Sequence, residues 1–242
     1  FINAASILSK KVNKAVFWIV GDIDHGNSKS VSSQEIDSWK RFTNVKFLGF
    51  QKNIASIYRK SHIACLPSYR EGLPKSLVEA AACGRAVITT DVPGCRDAIE
   101  PNKTGLLVPI NDAPALADAI NYLITNPKLR KRMGNLGRAL AEDSFSIEKI
   151  IADHMKIFQT LLCKYKYKKR KLLFVVNVDW FFLSHRLPIA LEAIRQGYQV
   201  HLATAITDKL EKLESYGLIV HELSLSRSDT SIFKMVKNFW QI

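Results

Sequence analysis

Glu71 and Glu79 stand eight residues apart in the stretch "YREGLPKSLVEAAACG", residues 69–84. Between them lie Gly72, Leu73 and Pro74, residue types that make a turn and then open a helix. With a helix starting near Pro74, Glu71 sits in the preceding loop and Glu79 on the second helical turn. The first-turn amides of Lys75, Ser76 and Leu77 then point toward the carboxyl edge of an apolar run at 63–68. Helix starts hold anions through unpaired N–H groups and the helix dipole, worth about 0.3–1 kcal/mol when exposed and up to about 2 when partly buried. A carboxylate on each side of such a start accepts hydrogen bonds from sugar hydroxyls, and the arrangement calls for no metal. Spacing alone favours a plainer reading, two solvated surface acids beside a helix start. The surrounding sequence changes that balance.

Other candidates are fewer. His185 and Arg186 fall at the expected start of a helix in the second part of the chain. An imidazole and a fork-shaped guanidinium there suit a diphosphate or sugar acceptor, against the alternative of a histidine satisfied by its own helix. "DVPGCRD", 91–97, follows an apolar run and either lines a pocket or makes an ordinary Pro-Gly turn. His25, His62, His154, His201 and His221 are scattered and read as core or surface residues. Cys65, Cys83, Cys95 and Cys163 form no CxxC pair and no metal-spaced cluster, which points to a reducing compartment.

The elements that must position these residues alternate regularly. The runs 15–21, 45–50, 63–68 and 86–91 are nearly continuous β-branched or aromatic stretches, the pattern of a parallel sheet covered on both faces. Helical patterns separate them, with N-caps expected at Ser33 and Asn53, Pro74 in the first turn of the third, and Gly84 at its end. After "TGLLVP", residues 104–109, three helical patterns read as a closing layer on the same unit. "KYKYKKRK", 164–171, follows, and then the βα alternation restarts at 171–177. That restart continues through helices at 184–198 and 208–217 to an amphipathic pattern at 231–242. The expected fold class is α/β, with Rossmann-like parallel sheet units and flanking helices.

The chain has 242 residues, 47% hydrophobic, enough to bury one or two α/β cores and too apolar to be disordered. Its net charge of +13 favours anionic partners, and 6 of the Lys/Arg residues sit in the run 164–171. That run reads first as a solvated linker and second as a contact for an anionic membrane surface. Nucleic acid is not an expected partner, because no RNA-binding motif accompanies the Lys/Tyr interleaving. No apolar run approaches the roughly 18–20 residues that span a bilayer.

"LPSYREGLPKSLVEAAACGRAVITTDVPGCRDAIEPNKTGLLVP" resembles the retaining family-4 glycosyltransferases, whose E-x7-E motif is matched by Glu71 and Glu79. The likeness extends through "NVKFLGFQKNIASIYRKSHIACLPS" and "NPKLRKRMG" to cover residues 1–158. "GDIDHGNSKSVSSQEIDSWKRFTNVKFLG" and "KLLFVVNVDWFFLSHRLPIALEAIRQGYQVHLAT" are similar to the subgroup that extends polyprenyl-diphosphate-linked oligosaccharides. The resemblance implies a GT-B-type architecture and a nucleotide-sugar donor, UDP-hexose or UDP-N-acetylhexosamine. It also implies a lipid-linked or saccharide acceptor and no cofactor. It gives Glu79 the ribose and Glu71 the transferred sugar as the catalytic pair. Gly72, Leu73 and Pro74 shape the loop, Lys75, Ser76 and Leu77 meet the diphosphate, and Gly21 and Asp22 lie in the base-contacting loop.

By the same likeness, residues 1–163 are the donor-binding domain without its first strand, 164–171 a basic linker, and 172–242 the first half of an acceptor-binding domain. The two halves stand in inverted order. The missing strand is expected upstream of residue 1, and the rest of the acceptor domain after residue 242. The resemblance implies a cytoplasmic enzyme, peripheral on the inner face of the membrane. Two alternatives stay open, an incomplete fragment that binds nucleotide sugar or membrane, and a sugar-nucleotide epimerase of GT-B architecture.

Overall fold

The computed structural model describes residues 1–10, 12, 15–23, 30–165 and 170–223. The sequence patterns at 224–242, the core of the basic run at 166–169, and Asp24 and His25 lie outside the described residues. The chain divides into two units, Phe1–Phe145 and Ser146–Ile242.

The first unit begins with α1 (Ile2–Ser9), β1 (Phe17–Ile19), α2 (Ser33–Trp39), β2 (Val45–Phe47), α3 (Ile54–Lys60) and β3 (Ile63–Leu66). It continues through α4 (Lys75–Ala82), β4 (Ala86–Thr90), α5 (Pro93–Asp97), β5 (Gly105–Val108), α6 (Ala113–Thr125) and α7 (Pro127–Ser144). β1 pairs with β2, and β3, β4 and β5 form a second sheet in that order, all parallel. β4 is central and buried along its whole length, which is why its sequence, AVITT, shows no polar alternation. The two sheets share one core: Phe17 and Val45 from one and Ala86, Ile88 and Val108 from the other pack with Leu116, Ile120 and Leu123 of α6.

Local chemistry sets the helix ends. Asn53 caps α3 as expected, its side chain accepting from the Ser56 amide at 3.2 Å. The cap of α2 is Ser32 rather than Ser33. The Ser32 amide donates to the carboxylate of Glu35, three residues on, at 2.8 Å, while the Glu35 amide donates to Ser32 Oγ at 3.2 Å. That reciprocal pair fixes the boundary one residue earlier than the expected cap. Gly84, at φ +68°, turns the chain out of α4.

The second unit contains α8 (Ile147–Tyr165), β6 (Lys171–Val175), α9 (Asp179–His185), α10 (Leu187–Arg195), β7 (Gln199–Thr204), α11 (Leu210–Ser215) and β8 (Ile219–Glu222). Its sheet runs β6-β7-β8, again parallel. α8 belongs to this unit, whereas its sequence pattern read as the last layer of the first. Its apolar stripe, Ile151, Met155, Phe158 and Leu162, packs with Phe182, Ile189 and Ala193. The Phe158 and Tyr198 rings lie 6.1 Å apart. The helical stripe is legible from sequence, but which sheet it covers depends on packing partners that periodicity does not name.

The restarted helix also differs from its reading. One helix was expected over 184–198, but the chain forms α9 and α10 with Arg186 between them. Pro188 carries no amide hydrogen and its ring would collide with the carbonyl four residues back, so the α9 ladder cannot run through it.

Candidate functional site

The Glu71–Glu79 segment leaves the carboxyl end of β3 and enters α4. Two buried threonines of β4 hold its start: Thr89 Oγ1 donates to the Leu66 carbonyl at 2.8 Å, and Thr90 Oγ1 donates to the Ser68 carbonyl. The loop then runs through Tyr69 and Arg70, both exposed, to Glu71, which is half-buried. Gly72 and Leu73 are exposed, and Pro74 is buried as the residue capping α4 rather than as its first helical residue.

The start of α4 is less open than the sequence suggested. The Leu77 amide donates to the Pro74 carbonyl at 3.0 Å, so it is not free for a ligand. Only the Lys75 and Ser76 amides of that turn lack a partner among the described residues. Tight closure of the first turn onto Pro74 is the cause, since a proline cap offers its carbonyl but no side-chain acceptor. Glu79, one turn later, is about one-third exposed, and its carboxylate meets Lys75 Nζ at 3.6 Å. A surface pair of that length is worth about 0–1 kcal/mol, so it leaves the Glu79 carboxylate able to accept other hydrogen bonds. Behind it, Tyr58 donates its hydroxyl to the Ser76 carbonyl at 3.0 Å. Burial, with the Glu79 carboxylate nearby, pushes the Tyr58 phenol up to about 12. Tyr58 therefore stays protonated and keeps pinning the first turn of α4 at any physiological pH.

"DVPGCRD" acquires a definite role. It forms α5, and Gly94 lies directly against the loop that carries Glu71. A methyl group placed on Gly94 would stand 1.8 Å from the Gly72 carbonyl oxygen and 2.5 Å from that of Glu71. Only glycine permits this approach. Asp91 and Arg96 pair at the exposed end of the same element. The sequence contained the signal, a Pro-Gly dipeptide after a strand, but not the identity of the backbone it touches.

Gly21 and Asp22 follow β1 as expected. Gly21, at φ +120°, donates its amide to the Gly49 carbonyl at 3.0 Å, tying the two strand ends of the β1-β2 sheet together.

In the second unit the expected anion-binding helix start is not where it was read. His185 closes α9 at its C-terminal end instead of opening a helix. Its ring stacks on Phe181 at 4.3 Å, and Nδ1 lies 2.6 Å from Ser184 Oγ and 3.2 Å from the Phe181 carbonyl. The Pro188 break produces this inversion. Arg186 alone occupies the cap of α10.

Two groupings there were not legible. Asp179, fully buried, receives the Thr207 amide at 2.7 Å, Thr207 Oγ1 at 2.9 Å and the Trp180 amide at 2.7 Å. Burial works to raise its pKa, but the hydrogen bonds from Thr207, Trp180 and Lys209 outweigh it and hold the carboxyl below the usual range. Asp179 thus joins the loop after β6 to the loop after β7. His201 and His221 stack at 5.2 Å with Nδ1 of the first 2.9 Å from Nε2 of the second. Burial, then His221 and Lys171, lower the pKa of His201.

Residues 1–140 match the family described as "Glycosyl transferases group 1". Over 164 residues the chain is 33% identical to the N,N'-diacetylbacillosaminyl-diphospho-undecaprenol alpha-1,3-N-acetylgalactosaminyltransferase of Campylobacter jejuni, covering 67% of this chain and 41% of that protein. The chain thus spans less than half the length of this relative. Among solved structures, sucrose-phosphate synthase of Thermosynechococcus elongatus superposes with a TM-score of 0.60 at 27% identity, over 67% of this chain and 42% of that one. A TarM variant from S. aureus, in complex with fondaparinux, alpha-GlcNAc-glycerol and UDP, does so with a TM-score of 0.57 at 27% identity, over 64% and 31%.

Proposed function

The chain belongs to the group 1 glycosyl transferases, and from that membership we propose that it moves a sugar from a UDP-linked donor to a lipid-linked or saccharide hydroxyl, with retention. One observation carries the donor assignment. The open Lys75 and Ser76 amides, Glu79 and the Glu71 loop converge on one helix start at the carboxyl end of the half-buried parallel strand β3. Ligands of open α/β sheets bind at such edges. The TarM variant complexed with UDP supports the choice of nucleotide, and the Campylobacter relative supports a polyprenyl-diphosphate acceptor.

In this reading Glu79 accepts hydrogen bonds from the ribose and Glu71 from the transferred sugar. The Lys75 and Ser76 amides and the α4 dipole face the diphosphate, and Gly21 and Asp22 border the base. The rate gain comes from holding the donor in a reactive orientation and stabilising the departing diphosphate, whose charge grows in the transition state. Arg186, at the α10 cap, contacts the acceptor diphosphate, and His185 lies beside it at the end of α9. The enzyme works in the cytoplasm, with the basic segment 164–171 against the anionic inner face of the membrane.

The second reading is a nucleotide-sugar-binding module without transfer activity. Incubation with sugar-labelled UDP donor and an undecaprenyl-diphosphate-linked sugar separates the two. Label entering the lipid phase supports transfer, and donor binding without transfer supports the binding module. Label released as free sugar or epimer without acceptor would support an epimerase. Flotation with phosphatidylglycerol vesicles, lost at high salt, is expected for the membrane contact, and absence of flotation at low salt would remove it.

A further inference from the structure

β8 is an edge strand of the second unit's sheet among the described residues, and it is lightly anchored. It runs only from Ile219 to Glu222, pairs only with β7, and none of its side chains is fully buried. Of its residues, Val220 alone packs against the unit's core cluster.

A side-chain contact ties this strand to the sheet. His201 opposes Ile219 and His221 opposes Ala203, so the two histidines lie diagonally across the β7–β8 ladder on one face. Their ring planes are 13° apart, and His201 Nδ1 lies 2.9 Å from His221 Nε2. That gap holds one hydrogen, donated by one nitrogen and accepted by the other.

Proton counting then assigns the tautomers. A neutral pair carries two ring hydrogens, one in the bridge and one on an outer nitrogen, either His201 Nε2 or His221 Nδ1. His201 Nε2 is buried with no hydrogen-bond partner among the described residues, whereas His221 Nδ1 is not orphaned in this way. An orphaned buried N–H is the rarer and costlier outcome, so the second hydrogen rests on His221 Nδ1 and the bridge hydrogen belongs to His201 Nδ1.

Acid must add a third ring hydrogen, and two nitrogens remain to take it. On His201 Nε2 it finds no acceptor in a buried setting. On His221 Nε2 it faces the His201 N–H, and the bridge breaks. The surroundings give no relief. Among the described residues, the groups that act on His201 are His221 of β8 and Lys171 of β6, and both oppose its protonation, as burial does. The unit's helices pack on the opposite face of the sheet, against Val200, Leu202 and Val220.

We propose that His201 and His221 form a one-hydrogen latch, closed at neutral pH and forced open by acid, that holds the edge strand β8 to β7. The sense follows from linkage: His201 takes up a proton less readily folded than unfolded, so the latch contributes fully above pH 6.5 and is lost as pH falls below it. The inference uses neither the donor nor the acceptor assignment.

Two measurements on the full chain test it. Heteronuclear NMR of the imidazoles at about pH 8 reads the tautomers, and His201 should carry its hydrogen on Nδ1 with Nε2 bare. A hydrogen on His201 Nε2 would overturn the proposal, because a further proton could then be added without disturbing the bridge. Amide hydrogen exchange, corrected for its intrinsic pH dependence, reads the strand. The Leu223 amide bonds the Thr204 carbonyl at 2.8 Å across the β7–β8 seam, and the Val176 amide bonds the Ala203 carbonyl at 3.0 Å across β6–β7. From about pH 8 to about pH 5, Leu223 should lose at least about tenfold more protection than Val176. His201→Phe removes the bridge and the buried nitrogen, and should abolish that difference. Equal losses at both seams in the parent chain, or a difference that persists in His201→Phe, would overturn the latch.

Discussion

Replacing Gly94 by alanine tests how α5 holds the Glu71 loop. The added Cβ would lie 1.8 Å from the Gly72 carbonyl oxygen, whereas real Cβ atoms essentially never come closer than 3.0 Å, so the two must separate by at least 1.2 Å, the difference of these distances. Both colliding partners, the Gly72 and Glu71 carbonyls, are backbone, so no side-chain rotation relieves the clash. Overpacking of this kind costs about 1–3 kcal/mol. At about 2–4 °C per kcal/mol for a unit of this size, melting should fall by roughly 2–12 °C. A displacement near 1 Å at a positioning loop costs on the order of 100-fold in function. Because the shift falls on Glu71 and Gly72 and not on Glu79, titration calorimetry should show UDP-sugar affinity falling more than affinity for UDP. Scanning calorimetry measures the stability arm. If Gly94→Ala melts and binds UDP-sugar like the parent chain, α5 does not position the loop.

Three further outcomes follow from other contacts. Asp179→Ala strips the partner from the Thr207 amide and hydroxyl and the Trp180 amide, and should cost the second unit about 1–3 kcal/mol in denaturant unfolding. Asp179→Asn, which keeps the shape and one acceptor, should cost less, and equal losses would contradict the hydrogen-bond account. His201 has a folded pKa below its unfolded 6.5, so the unfolded state takes up its proton first as pH falls. The second unit should therefore be fully stabilised by this group above pH 6.5 and lose that contribution as the solution becomes more acidic, and His201→Gln should flatten the dependence seen in urea midpoints.

The fold was legible where burial leaves a compositional mark. AVITT announced β4 because a strand covered on both faces shows no alternation of apolar with exposed polar residues, and the first unit's parallel pairs follow from the same pattern. Strand ends were read too long at 45–50 and 63–68, since an apolar run shows burial but not where the ladder stops. The Glu71–Glu79 loop was legible as a motif, with both acids and the α4 start in one place. What it lacked was contact information: that the Leu77 amide is spent on Pro74, and that Gly94 supports Glu71. The reversal at His185 has a sequence cause, Pro188, whose effect was not applied to the preceding turn. The His201–His221 pair had no local signal, because only the register of β7 against β8 brings residues twenty apart into stacking distance.

The proposed function stands on the Glu71–Glu79 segment as a nucleotide-diphosphate site. Isothermal titration of the chain with UDP, repeated with Glu79→Ala, addresses it most directly. Saturable binding is expected, weakened about tenfold or more in the variant, in line with the roughly 1.5–3 kcal/mol of a hydrogen bond to a charged group. No binding by the parent chain, or equal binding by both, would contradict it.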